Sequence, residues 1–183
     1  SIVPSAISVK HRISSSTLID KNLYNFIYSR YILENMPSAK IIHATRNPLD
    51  NILSLLRANL TTGNNYTYSP EDSANVLIAQ EKLMRSIKKL YPHSTYTYNY
   101  DLLVKDPQLE LKKLLSWLGW RWDDKYLNHH SKQQIINTAS VIQARSPIHS
   151  KSLGGWKNYY SILELPRQIL IESNLFDLNE LNA

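Results

Sequence analysis

The apolar positions change their period several times along the chain, and each change marks an element. From Lys21 to Met36, the residues Leu23, Phe26, Ile27, Tyr31 and Ile32 recur at steps of three and four, which predicts a helix closed by Pro37. Residues 40–45 (KIIHAT) then form a short β-compatible run. Asn47 followed by Pro48 predicts a helix start, with Asn as N-cap and Pro at the first helical position. Over the predicted helix 48–60, Leu49, Ile52, Leu53, Leu55, Leu56 and Leu60 make a broad apolar face. Asp50, Ser54 and Arg57 share its other side, so Ser54 is expected to face away from the core.

The stretch TTGNNYTYSPED (61–72) reads as a loop from its Gly, Asn and Pro, and Ser69-Pro70 with Glu71 and Asp72 predicts a helix reaching about Leu90. STYTYNY (94–100) alternates Thr with Tyr, a strand pattern. Pro107 opens an amphipathic helix that runs to Leu118 and stops at Gly119. Past Asp124 the chain is polar and less regular, with a last helix predicted from Pro166 to Asn174. Helix and strand thus alternate twice, the pattern of a layered α/β sheet. One domain over residues 1–183 is expected: an irregular lead-in at 1–20, a core at 21–160, and a helix and tail at 161–183.

Ligands of open α/β sheets bind beyond the carboxyl ends of the strands, and Arg46 follows the first strand directly. Its guanidinium is free there to meet an anion. A salt bridge to Asp50 would be a purely structural use of the same side chain.

Composition narrows the classes. The 183 residues are 43% hydrophobic and 20% charged, ordinary for a globular protein, and no apolar run approaches the length of a membrane helix. The N-terminal SIVPSAISVKHR lacks the apolar core of a signal peptide. With no cysteine there is no disulfide framework and no thiolate nucleophile, which fits a reducing compartment and a cytoplasmic location. The six histidines lack metal-ligand spacing, so no metal is expected. A net charge of +6 suits an anionic small ligand or a polyanion. A basic nucleic-acid-binding module using the twelve tyrosines is the alternative, although no such motif supports it.

Four stretches in order carry a more specific signal. They are LIDKNLYNFIYSRYILENMPSAKIIHATRNPLDNILSLLR, YDLLVKDPQLELKKLLSWLGWRWDD, TASVIQARSP and SKSLGGWKNY, together spanning roughly residues 19–160. In this order they resemble the sulfotransferase family, most closely the bacterial tetratricopeptide-associated group related to tyrosylprotein sulfotransferases. The resemblance implies a three-layer, P-loop-NTPase-like parallel sheet flanked by helices. It also implies 3′-phosphoadenosine 5′-phosphosulfate (PAPS) as sulfuryl donor, adenosine 3′,5′-bisphosphate as product, and no metal.

By that resemblance the family's Arg-x7-Ser pair falls on Arg46 and Ser54 and grips the 3′-phosphate, since a guanidinium matches phosphate oxygens bidentately and a hydroxyl adds a directed donor. Ser150, Lys151 and Ser152 fall in the late loop folded over the same phosphate. Tyr100 matches the tyrosine near the adenine ring, and Thr138 the threonine that contacts the base. Lys21 matches the lysine of the Asp-Lys element and is the implied catalytic residue, a cation near the bridging oxygen of the leaving phosphate. Arg145 lies at the ligand or acceptor edge, and Trp156 is expected to be a packing anchor rather than a contact.

The chain also departs from the family. It has no glycine before Gly63, whereas the family's 5′-phosphosulfate loop needs glycines for positive φ and close approach. The expectation is therefore the C-terminal part of the domain, lacking its first strand, its phosphate loop and the general base that follows. Such a chain would be impaired or inactive alone, or a non-catalytic remnant acting through protein contacts, with an upstream tetratricopeptide region in the parent. Gly155 stands where relatives place a polar residue, and Asp101-Leu102 replaces the usual Glu-Asp. Peptide tyrosine, carbohydrate and small alcohol all remain open as the hydroxyl acceptor, and no nucleic-acid or membrane partner is expected.

Overall fold

Among the described residues, two short parallel strands, β1 (Ile41–Thr45) and β2 (Thr95–Asn99), form the sheet. The structure is a computed structural model and describes residues 17–58, 60, 63–127, 150 and 152–182. Parallel neighbours require a long crossover, and α2 (Pro48–Ala58) and α3 (Pro70–Leu90) supply it. Before β1 comes α1 (Ser29–Asn35), and after β2 follow α4 (Tyr100–Lys105) and α5 (Pro107–Leu118). The C-terminal part adds a 3₁₀ turn (Gly155–Tyr159), α6 (Tyr160–Glu172) and α7 (Leu178–Leu181).

Local chemistry accounts for most of these boundaries. Asn47 Oδ1 accepts from the N–H groups of Leu49 and Asp50, Ser69 Oγ from the N–H of Asp72, and Asp106 Oδ1 from the N–H of Leu109, so α2, α3 and α5 each begin on a capping acceptor followed by proline. Gly119 ends α5 with φ of 77°, a left-handed conformation that a Cβ would strain.

Register settles which side of the sheet each strand residue meets. Ile41 pairs with Thr95 and Ile42 with Tyr96, so Ile41 and Tyr96 face opposite sides. Ile41 packs on a cluster of Leu33 from α1 and Met84 and Ile87 from α3. Tyr96 lies against Trp117 of α5, ring centroids 5.2 Å apart. Helices therefore sit on both faces, and the mixed α/β fold is helix-rich around a small parallel sheet. The main core joins distant parts of the chain: Leu49 and Ile52 of α2, Ala74 of α3, Trp156, Leu163 and Leu170 are all buried together. Each large apolar side chain so buried contributes about 1.5–3 kcal/mol.

Four expectations need correction. The helix predicted from Lys21 begins later, at a 3₁₀ turn over Asn25–Tyr28, because Asn22 Oδ1 accepts from the Tyr24 N–H and holds the chain in a turn. The last helix starts at Tyr160 rather than Pro166 and carries that proline inside it. Pro166 is buried on the same stripe as Leu163 and Leu170, and this packing offsets the missing backbone bond. Tyr100, predicted as the last residue of the strand 94–100, instead opens the helix Tyr100–Lys105, because Asn99 caps it. Asp50, assigned to the outward side of α2, is buried, 3% exposed.

Candidate functional site at the carboxyl ends of the strands

The parallel register continues past the last strand pair. Thr45 is opposite Asn99, so the next residues, Arg46 and Tyr100, leave the sheet side by side. The guanidinium carbon of Arg46 lies 5.4 Å from the Tyr100 ring centroid, over its face. One residue further, the Asn47 N–H donates to Asp101 Oδ2 at 2.6 Å. Three successive pairs 54 positions apart thus build one edge.

The late segment folds onto this edge. Arg46 Nη2 donates to the Ser152 carbonyl at 3.1 Å. Both Asp50 oxygens accept from backbone, Oδ2 from Gly154 at 2.7 Å and Oδ1 from Trp156 at 2.9 Å. Gly154 has φ of 67°, which turns the chain so that these two N–H groups converge. A Cβ at Gly155 would stand 3.7 Å from Asp50 Oδ1, an ordinary contact. Further along α2, Arg57 lies over the Tyr159 ring at 4.9 Å. Residues 46, 50 and 57 therefore meet 152, 154–156 and 159 in order. Asp50 is committed to the loop backbone rather than to a salt bridge with Arg46.

Of the residues singled out from sequence, Arg46, Tyr100 and Ser152 come together. Ser54 is exposed on α2, four residues after Asp50 and three before Arg57, hence on the same flank as the loop. Ser150 is exposed, and its carbonyl accepts from the Leu153 N–H at 2.9 Å. Lys21 is exposed ahead of the first 3₁₀ turn, outside the Arg46 contacts among the described residues, and the neighbouring Asp20 accepts from Asn25. Trp156 is 2% exposed in the core, as a packing anchor should be. Thr138, Arg145 and Lys151 lie outside the described residues. Sequence reasoning missed the roles of Asp50 and Asp101. An acid in the first turn of α2 was the visible signal for Asp50, but it names no partner.

The edge opens onto a cleft of about 230 Å³ lined in part by His43, Arg46, Asn51, Glu81 and Glu180. Burial lowers the His43 imidazole, Glu81 opposes this and Lys88 adds to it. Partial burial raises the Glu180 carboxyl, and Asp177, Asp101 and Glu81 push the same way. Two polar atoms at the edge, Arg46 Nε and Asp101 Oδ1, are buried without a hydrogen-bond partner among the described residues. Among the described residues no cluster of His, Cys, Asp or Glu could hold a metal ion, and no helix is long and apolar enough to cross a membrane.

A protein of Aquifex aeolicus (strain VF5), described only as uncharacterized, is 28% identical to the chain over 158 residues. The match covers 85% of this chain but 21% of that protein, so the chain spans about a fifth of its relative's length. The model of the sulfotransferase family matches residues 3–124, two thirds of the chain, and takes in Arg46, Ser54 and Tyr100. On that match, the chain belongs to the sulfotransferase family.

Proposed function

We propose that this chain forms the part of a PAPS-dependent sulfotransferase that grips the 3′-phosphate end of the donor. The observation that carries this reading is Arg46: its guanidinium stands over Tyr100 at the strand ends, holds the Ser152 carbonyl, and leaves Nε without an acceptor among the described residues. A permanently charged donor with an unused N–H is what an anion satisfies. Ser54 supplies a hydroxyl from the adjoining helix flank, and Ser150, Lys151 and Ser152 supply the loop. Tyr100 offers a ring to the adenine, and Thr138 a polar contact to the base.

In the reaction, an acceptor hydroxyl oxygen attacks the sulfur of the donor while the bond from sulfur to the bridging oxygen breaks. That oxygen leaves on the 5′-phosphate, and Lys21 would stabilise its growing negative charge. The hydroxyl proton passes to a base outside the residues assigned here. Arg145 stands at the acceptor edge in this reading, and the acceptor is a hydroxyl of peptide, carbohydrate or small-alcohol type.

The test is calorimetric titration with adenosine 3′,5′-bisphosphate. Arg46→Ala should weaken binding by about ten-fold or more, the loss of one charge-assisted contact. Arg46→Lys should weaken it too, because an ammonium cannot keep both the Ser152 carbonyl and a bidentate phosphate. Adenosine 5′-monophosphate, which lacks the 3′-phosphate, should bind wild type and Arg46→Ala alike. Equal bisphosphate affinity in wild type and Arg46→Ala would overturn the proposal.

A further inference from the structure

A buried carboxylate four residues from a phosphate-binding arginine is electrostatically the wrong group in the wrong neighbourhood. Asp50 lies on the first turn of α2 and is 3% exposed. Its negative charge opposes any anion brought to Arg46. The side chain nevertheless receives two short bonds, from the Gly154 N–H at 2.7 Å and the Trp156 N–H at 2.9 Å, across more than a hundred residues of chain. Bonds from backbone N–H to a buried carboxylate are strong because the acceptor is ionised.

We infer that Asp50 is a positioning residue that sets the loop 152–156 against α2, so that Ser152 meets Arg46 and the phosphate edge is assembled before ligand arrives. The geometry supports a positional role over a merely stabilising one. Trp156 is already anchored in the core by its ring, against Leu49, Ile52 and Leu163. Asp50 adds a constraint on the backbone next to that anchor, two residues from the carbonyl that Arg46 grips. Gly154, at φ of 67°, is the hinge that lets both N–H groups reach one carboxylate. Ser54 lies one helical turn further along the same flank, so a loop fixed on Asp50 also fixes where that hydroxyl stands relative to Ser152.

Charge and position predict opposite signs for one substitution. Asp50→Asn removes a negative charge, which by electrostatics alone should tighten anion binding. It also leaves a single acceptor oxygen for two donors, which should loosen the loop. The affinity arm of the test rests on the nucleotide reading above, whereas amide hydrogen exchange of the loop does not.

In Asp50→Asn, exchange at Gly154 and Trp156 should speed up by about ten-fold or more while the amides of Leu163–Leu170 stay as in wild type. Affinity for adenosine 3′,5′-bisphosphate should fall several-fold. Unchanged exchange overturns the inference whatever the affinity does. Faster exchange with equal or tighter bisphosphate binding overturns the link to the phosphate edge. A wild-type chain that does not bind the bisphosphate, with exchange still responding to the substitution, overturns the nucleotide reading and leaves the hold of Asp50 on the loop standing. Should Asp50→Asn fail to fold, Gly154→Ala strains the same turn with the carboxylate intact. It should raise loop exchange and lower affinity together, and no change in either overturns the inference.

Discussion

Arg46 and Asp50 carry opposite charges four positions apart, yet each is held by a different part of one distant loop. At this scale the informative residues are those whose partners are not their neighbours. His43 is another, half-buried on β1 beside the cleft. Burial disfavours its charged form, so the folded protein holds fewer protons than the unfolded chain between the lowered value and the ordinary 6.5. Its contribution to stability is therefore present above about pH 6.5 and is lost as pH falls through that window. His43→Gln should flatten this acid limb. Melting temperatures at pH 7.5 and 5.5 check the point: the wild type should lose more than the variant, and equal losses would refute it.

Elements were legible wherever their ends are decided within a few residues. Asn47, Ser69 and Gly119 act through bonds to N–H or carbonyl groups two to four positions away, so sequence alone identifies them. Asn99→Ala tests a cap that was not anticipated. Asn99 Oδ1 accepts from Asp101 and Leu102 and starts α4, and its loss should cost about 1 kcal/mol in urea denaturation. A second effect belongs to the same element. Because α4 begins at Tyr100, fraying its first turn should also loosen the ring beneath Arg46 and weaken bisphosphate binding, whereas Ser69→Ala, an equal loss at the start of α3, should leave binding unchanged. Pro166 marks the limit of element-level reasoning, since a buried stripe shared with Leu163 and Leu170 outweighs the rule that proline begins a helix.

Across the whole molecule, Trp156 joins the C-terminal helices to α2 and α3, with its ring in the main core and its N–H on Asp50. Trp156→Ala should cost about 3–5 kcal/mol, a large part of the total for a domain, and should loosen the loop on α2 although its backbone bonds to Asp50 remain. Denaturant unfolding measures the first effect, and loss of bisphosphate binding the second. The sequence by itself determined the strand, turn and helix around Arg46, the caps at Asn47 and Ser69, and the apolar face of α2, because period and capping act over a single turn of chain. Only the tertiary structure decided that Tyr100 and Asp101 stand beside Arg46 and Asn47, and that Asp50 turns inward to a loop more than a hundred residues away. A parallel register relates residues through an offset of 54 that no local pattern encodes, and a carboxylate has no preference among distant N–H groups until packing brings one pair within reach.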